Sequence, residues 1–264
     1  MGNTTDRDAS DRALHARRAA SFGASATDYA EHRPDYPLAA IRWALETVLA
    51  VPAPIVLDLG AGTGKLTEGL LAVGATVIAV EPDDGMRVEL MRRLPGVRAL
   101  EGTAEAIPLA DGSVDAIVAG QAFHWFDQQR AFPEFARVLR RGGVFAALWN
   151  TDDMRVDWVA GLKRVSHSES SVPPPPELGS AELPEHPLFE AFQSARFPHT
   201  QRRTAESLTA TIGTHSHTLV ASPQQRAEVL QRIVDYLHSR PETAEGEFDL
   251  PMVTLVLRAT VRPR

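Results

Sequence analysis

Short apolar runs alternate with segments of helical periodicity along most of this chain. The runs typical of strands lie at 55–59, 77–80, 97–100, 114–119, 144–149, 195–201 and 252–259. Apolar positions at helical spacing predict helices at 37–50, 65–71, 86–94, 128–140, 189–192, 207–215 and 224–237, and another that begins at Asp157. Such an alternation is typical of an α/β fold with a largely parallel sheet.

One stretch combines a strand, a glycine-rich turn and the start of a helix. Ile55 to Leu59 has the composition of a buried parallel strand, with Asp58 set among its apolar residues. Glycines at positions 60, 62 and 64 follow, and a helix begins at Lys65. Glycines let the backbone approach a ligand closely, and a helix start offers unpaired N–H groups. This order predicts a crevice for a nucleotide cofactor.

The acidic residues around this turn indicate which cofactor it binds. The glycines run G-x-G-x-G, whereas the dinucleotide fingerprint is G-x-G-x-x-G. Glu81 ends the second strand, 23 positions after Asp58, where a carboxylate can accept hydrogen bonds from both ribose hydroxyls of an adenosine. Asp58 suits an ammonium group better than a pyrophosphate. These residues resemble motif I and the acidic loop of class I S-adenosylmethionine (SAM) methyltransferases, and an NAD site is the alternative.

The resemblance extends from about Phe22 to Asn150, where 139–143 is similar to the family's L-[KR]-P-G-G turn with Arg141 in place of proline. It implies a seven-stranded Rossmann-like fold with helical lid insertions. It also implies that Asp58 and Gly60 hold the methionine amine, Glu81 the ribose, and Glu105 with its neighbours the adenine. Family members often carry an acid where Thr103 stands. The cofactor contacts implied are Tyr29, Arg33, Asp58, Gly60, Ala61, Gly62, Gly64, Glu81, Pro82, Met86, Thr103, Ala104, Glu105, Gln121 and Ala122.

Two segments carry alternatives that the sequence leaves open. The stretch from Phe22 to Pro37 resembles the N-terminal lid of small-molecule methyltransferases, in which Tyr29 and Arg33 would hold the methionine carboxylate. The other interpretation is a helix packed on the domain edge. Met86 is expected either against the adenine or in the core.

The end of the fourth strand, Gly120 to Asp127, is where catalytic groups are expected. His124 is the best candidate for a general base because imidazole titrates near neutral pH. It could equally be a packed or cofactor-contacting histidine, because methyl transfer from a sulfonium can need only alignment. Tyr29 is the second catalytic candidate. The predicted acceptor contacts are Phe22, His124, Trp125, Trp149, Trp158 and His217.

The domain organisation follows from where the motifs lie. We predict a flexible N-terminus at 1–20 and one methyltransferase domain at 21–264. Within that domain, 21–150 would bind SAM, and insertions at 151–195 and 203–248 would cover the pocket and select the acceptor. The first insertion contains a Ser/Pro/Glu-rich stretch with four successive prolines from Pro173.

Composition narrows the possible functions. The chain of 264 residues carries a formal net charge of −7, which argues against a nucleic-acid partner. It contains no cysteine, so thiolate metal sites and cysteine nucleophiles are excluded, and His215-x-His217 lacks the further ligands of a metal site. No apolar run approaches the roughly 20 residues that cross a bilayer. We therefore expect a cytoplasmic monomer or homodimer without a metal.

The acceptor is the least determined part of the prediction. The tryptophans favour an aromatic or apolar small molecule, such as a secondary metabolite of natural product biosynthesis. A carboxyl O-methyltransferase acting on a small organic acid, as in the aconitate-type branch that the N-terminal segment also resembles, is the alternative, with Arg33, Arg196 or Arg202 as partner of the acid. A third possibility is a SAM-binding module without catalytic activity.

Overall fold

A computed structural model describes residues 34–166, 185–213, 218 and 221–263. The predicted flexible segment 1–20 and the predicted site residues Phe22, Tyr29, Arg33 and His217 lie outside these ranges. Within them, no helix is long and apolar enough to cross a membrane.

Seven strands form one sheet in the order β3-β2-β1-β4-β5-β7-β6. The strands β1 to β5 pair in parallel, and β7 runs antiparallel to β5. This confirms the predicted seven-stranded α/β fold. The strand bounds are β1 Ile55–Leu59, β2 Thr76–Val80, β3 Arg98–Leu100, β4 Val114–Gly120, β5 Leu139–Asp152, β6 Gln193–Arg203 and β7 Phe248–Thr260.

The described helices follow the predicted periodicity, with corrected ends. Their bounds are α1 Leu38–Ala44, α2 Lys65–Ala72, α3 Asp84–Arg93, a 3₁₀ turn at Phe123–Trp125, α4 Gln128–Val138, α5 Asp157–Val165, α6 Ala205–Gly213 and α7 Pro223–His238.

Three sequence predictions of helices were wrong in part or in full. The first helix ends at Ala44 and continues only as turns to residue 50. The helix expected to reach Arg140 ends at Val138, because β5 already begins at Leu139 and pairs there with Val114. No helix forms at 189–192: the Phe189 and Phe192 side chains, both buried, pack on the aromatic core, and Phe189 bridges to Val261.

The chain divides into two compact units. The sheet unit comprises 34–152, 185–200 and 251–263 of the described residues, and the helical unit comprises 153–166, 201–213, 218 and 221–250. Residues 185–195, which we had assigned to the first insertion, thus belong with the sheet.

The sheet unit has an apolar core on each face of the sheet. One face carries an aromatic cluster built around Phe132, Phe135 and Phe145. On the other face, α1 and α2 pack Ile41, Leu45 and Leu70 onto the strands. Each strand near the centre is therefore buried on both faces, as its continuous apolar sequence predicted.

Within the helical unit, α7 packs against both α5 and α6. Ser222 caps α7 through a capping box with Gln225, whose backbone N–H donates to the Ser222 hydroxyl. The Tyr236 hydroxyl of α7 donates to the carbonyl of Trp158 in α5 at 2.9 Å. This unit is held by helix packing and local hydrogen bonds.

Candidate active site

The winding of the sheet changes direction between β1 and β4. From β1 the chain winds outward through β2 and β3, and it then returns to place β4 on the other side of β1. Because these strands are parallel, the loops that follow β1, β2 and β4 meet at one edge. Ligands of open α/β sheets bind at such a switch point, outside the carboxyl ends of the strands.

In the glycine turn after β1, a neighbouring side chain fills the space beside Gly60, whereas the described residues leave the space beside Gly62 empty. Gly60 and Gly62 have φ values of +70° and +55°, a left-handed backbone that favours glycine. The amides of Gly60 and Ala61 donate to the Val80 carbonyl at the end of β2. A Cβ at Gly60 would lie 2.7 Å from the Cβ of Ala122, whereas one at Gly62 would have no neighbour within 4 Å among the residues that the structure describes. The surface over Gly62 can therefore accept a ligand.

The third glycine of the turn, Gly64, is needed for close packing between helices. A Cβ at Gly64 would lie 2.9 Å from Leu94 and 3.2 Å from Leu90. The absence of a side chain there lets α3 and the residue after it approach the start of α2. Its predicted cofactor contact stays a prediction.

Asp58 is fully buried in β1 and only partly satisfied. Its Oδ2 accepts a hydrogen bond from Thr67 Oγ1 at 2.6 Å, and its Oδ1 has no hydrogen-bond partner among the described residues. Burial raises the pKa of Asp58 to about 7 against the opposing Thr67 hydrogen bond, and the charge of Glu81 adds to the increase. An ammonium group against Oδ1 would offset the cost of burying this carboxylate.

Glu81 connects the end of β2 to the glycine turn. It is 8% exposed, and its two oxygens accept hydrogen bonds from the N–H groups of Gly62 and Asp83, each at 2.9 Å. Burial raises its pKa, and these two hydrogen bonds oppose the increase. Each carboxylate oxygen has a further lone pair. Glu81 can therefore hold the turn and still accept hydrogen bonds from a ribose.

The loop between β3 and β4 is anchored on α4. Glu105 Oε1 accepts a hydrogen bond at 2.8 Å from the N–H of Asp127, the residue that caps α4. Further along the loop, the Arg137 guanidinium donates to the carbonyls of Ile107 and Leu109 at 2.9 and 2.8 Å. One oxygen of Glu105, which we had assigned to adenine recognition, therefore has a structural partner.

Four other predicted adenosine contacts lie in the segments that follow β2 and β3. Pro82 and Thr103 are exposed, whereas Ala104 and Met86 are buried. Met86 lies in the first turn of α3 at 3% exposure, which fits an adenine contact and a core position equally.

Gln121 occupies a strained position at the end of β4. Its φ of +55° lies in the left-handed region that few non-glycine residues adopt. Its amide N–H donates to the carbonyl of Leu148, and its Nε2 donates to that of Asn150, both at 2.8 Å. The amide oxygen Oε1 of Gln121 is the side-chain atom that could accept a hydrogen bond from a ligand's ammonium group. Backbone strain of this kind is frequent at functional sites.

The structure reveals polar partners that the sequence analysis missed. Asn150 is buried, accepts a hydrogen bond from Thr254 Oγ1 at 2.6 Å and donates to the carbonyl of Asp35 at 3.1 Å. Lys65 Nζ lies 3.0 Å from Asp35 Oδ1, so the segment before α1 is fixed to β5 and α2. Thr67, which donates to Asp58, was likewise missed. The sequence signal that could have identified Thr67 and Asn150 is a single polar residue on an otherwise apolar face of a helix or strand.

Aromatic residues adjoin the end of β4. Phe123 is buried in the 3₁₀ turn with its ring 6.2 Å from that of Trp149. Trp149 is also buried, and its Nε1 has no hydrogen-bond partner among the described residues. Next to Phe123, His124 is exposed, with its ring 5.0 Å from that of half-buried Trp125. Two predicted acceptor contacts, Trp125 and Trp149, thus lie on the sheet unit together with His124.

Trp158 lies in the helical unit. Its ring is buried and meets that of Phe248 edge-to-face at 5.7 Å. Its acceptor contact stays a prediction.

Comparison with known proteins identifies the class. A family model described as "Methyltransferase domain" matches residues 57–147, which include the glycine turn, Glu81 and the end of β4. An uncharacterized methyltransferase of Mycobacterium tuberculosis is 40% identical over 242 residues, covering 91% of this chain and 96% of its own. The malonyl-[acyl-carrier protein] O-methyltransferase of Methylococcus capsulatus is 40% identical over 138 residues, 48% of each chain.

A solved structure agrees with this fold. A candidate type II methyltransferase from Anaeromyxobacter dehalogenans superimposes with a TM-score of 0.64 at 27% identity, covering 87% of this chain and 97% of its own. The chain therefore belongs to the class I SAM-dependent methyltransferases and is an enzyme of the transferase class.

Proposed function

We propose that the crevice over Gly62 binds SAM with its amine toward Asp58 and Gly60 and its ribose toward Glu81. The observation that carries this assignment is the buried Oδ1 of Asp58, which has no partner among the described residues. An ammonium group satisfies that atom. A pyrophosphate, as in NAD, would add negative charge beside Asp58 and Glu81, so the electrostatics favour SAM.

Bound SAM supplies an electrophilic methyl group on a sulfonium. The protein's own contribution is to hold an acceptor in line and exclude water, which can provide much of the barrier reduction. Trp125 and Trp149 offer apolar surface for this, and aromatic faces attract cations.

We propose that the acceptor is a small molecule with an aromatic or apolar body, a secondary metabolite by class, methylated on O, N or C. Half-buried Trp125, next to the buried Phe123 and Trp149 at this end of the sheet, supports this class. The enzyme would act in the cytoplasm as a monomer or homodimer.

A carboxyl acceptor is the second candidate, and the likeness to a malonyl-[acyl-carrier protein] O-methyltransferase favours it. An acid would need a cationic partner. Arg202 lies 3.3 Å from both Glu247 and Asp249, so an acid would have to compete with these carboxylates. Arg196 on β6 is exposed and is another candidate.

Calorimetry with the product S-adenosylhomocysteine (SAH) tests the cofactor assignment. We expect SAH to bind and NAD not to bind, and Glu81→Gln to weaken SAH at least tenfold because the ribose loses charge-assisted hydrogen bonds. Asp111→Asn, a substitution of an exposed acid, is the matched control. Binding of NAD alone would refute the assignment.

Mass spectrometry of paired aromatic and carboxylic acceptors, incubated with SAM, tests the acceptor class. A gain of one methyl on the aromatic member supports our proposal, and a gain on the acid supports the alternative. SAH binding with no methylated product across a broad panel would favour a binding module.

His124→Ala tests the proton-transfer role. Because His124 is exposed, we expect its removal to leave SAH affinity within about twofold. If His124 is the base, kcat should fall by roughly 10²-fold or more. Equal losses in kcat and in SAH affinity would instead identify a cofactor contact.

A further inference from the structure

One carboxylate oxygen of Asp58 accepts a hydrogen bond from the protein, and the other has no partner among the described residues. Thr67 Oγ1 donates to Oδ2 at 2.6 Å from the buried face of α2, while Oδ1 has no partner in the described part of the chain. The side chain is 0% exposed. Water therefore does not solvate its charge, and a carboxylate in such a place is costly unless a cation is near.

The described groups around this end of the sheet do not supply that cation. Glu81, which follows β2, is itself a buried acid. Lys65, at the start of α2, lies 3.0 Å from Asp35 Oδ1, and Asp35 precedes α1. From β4, the neighbours of β1 are the apolar Ala116, Ile117 and Val118. Two acids in the same buried region make each other harder to ionise.

The pKa values agree with this geometry. Burial, with a further contribution from Glu81, raises the pKa of Asp58 to about 7. In the ligand-free protein at neutral pH, the carboxyl group is therefore about half protonated.

We infer that the aminoacyl end of the cofactor binds by displacing a proton from Asp58, which makes this residue a proton-linked selector for ligands that carry an ammonium group. The inference rests on the proposed SAM site. The balance is simple: the carboxylic acid of Asp58 releases H⁺ to solvent, and the resulting carboxylate pairs with the ligand's α-ammonium. No electron transfer and no covalent bond to the ligand are involved.

The coupling between ligand binding and proton release predicts the direction in which affinity changes with pH. A cation lowers the pKa of Asp58, so binding releases protons at any pH below the free-protein value of about 7. The affinity for an ammonium ligand should therefore fall as the pH falls. A ligand without the ammonium should not show this dependence.

The experiment is titration calorimetry of the full chain in buffers of different ionisation enthalpy, between pH 6.0 and 7.5. The probes are SAH and its deaminated analogue, in which hydrogen replaces the α-amino group. For a free-protein pKa of about 7, we expect release of about half a proton per SAH at pH 7 and roughly 0.9 at pH 6. SAH affinity should rise about eightfold from pH 6.0 to 7.5, while that of the analogue should be nearly constant.

Two variants assign the proton to a residue. Asp58→Asn should abolish the release and reduce the preference for SAH over the analogue. Glu81→Gln should keep the release, at a somewhat lower pH, because it removes one source of the raised pKa. If the variants do not bind, the comparison of the two ligands on the unaltered protein still tests the inference.

SAH binding without proton release, or equal release with the analogue, overturns the inference while leaving the SAM site in place. Release that persists in Asp58→Asn overturns the assignment to Asp58. Failure of SAH to bind the unaltered protein overturns the proposed cofactor site itself, and the inference with it.

Discussion

The two units of this protein differ in how particular buried polar groups are satisfied. In the sheet unit, Asp58 and Glu81 are buried acids without a cationic side chain at hydrogen-bond distance among the described residues. In the helical unit, the buried hydroxyls of Thr209 and Thr243 donate to backbone carbonyls of neighbouring residues at 2.7 and 2.6 Å. Its acids, such as Glu247 beside Arg202, remain largely exposed.

Under the proposed function, the difference between these acids and these threonines is one between binding and packing. A buried acid with an unused oxygen lowers the stability of the ligand-free protein and increases the affinity for a cation. Hydroxyls that donate to nearby carbonyls are satisfied within the protein. Among the glycines, a Cβ at Gly62 would have no described neighbour within 4 Å, whereas one at Gly161 would meet Tyr236.

The largest expected effect belongs to the helical unit. Gly161→Ala would place a Cβ in the space that the Tyr236 hydroxyl occupies, so that hydroxyl must leave its hydrogen bond to Trp158. We expect a loss of about 1–3 kcal/mol in unfolding free energy, measured by urea denaturation, with reduced hydrogen-exchange protection in α5 and α7.

Gly213→Ala, in the same unit, is the control for that change. Among the described residues its Cβ would meet nothing closer than 3.6 Å, so the stability of this variant should be unchanged or slightly increased. If both variants lose the same stability, helix packing at Gly161 is not the cause.

Gly62→Ala tests the proposed ligand contact in the sheet unit. The Cβ would enter the open space over the turn, so SAH affinity should fall at least tenfold, or roughly 1.4 kcal/mol, by calorimetry. Gly112→Ala is closely matched, because the φ values are +55° and +56° and neither Cβ would lie within 4 Å of another residue in the described part of the chain. Both should lose about 1 kcal/mol of stability. Equal SAH affinity in the two variants would place the ligand elsewhere.

The smallest expected effect is the pH dependence of stability. Burial raises the pKa of Asp58 from its usual 3.8 to about 7, so the stabilising proton is fully held below pH 3.8 and lost as the pH rises through 7. Between pH 6 and 8, the ligand-free protein should lose roughly 1 kcal/mol of unfolding free energy relative to Asp58→Asn. Parallel pH profiles of the two proteins would contradict a buried, proton-bearing Asp58.

Much of the fold was predictable because buried parallel strands and amphipathic helices leave local patterns. The strand–glycine–helix order at 55–71 and the positions of all seven strands followed from such patterns. The prediction of a helix at 189–192 was wrong because the pattern of only four apolar and polar residues does not distinguish a helical turn from a segment that forms a β-bridge. The end of the fourth helix was placed too late because Leu139 is apolar in either a helix or a strand.

By itself, the sequence determined the sheet-forming runs, the glycine turn and the two acids beside it, since each is encoded by neighbouring residues. Only the tertiary structure decided which atoms of those acids are satisfied. Thr67 reaches Asp58 by helix packing, and Asn150 meets Asp35 across 115 positions of the chain. Burial and hydrogen-bond partners depend on residues distant in sequence, and they set the pKa of Asp58.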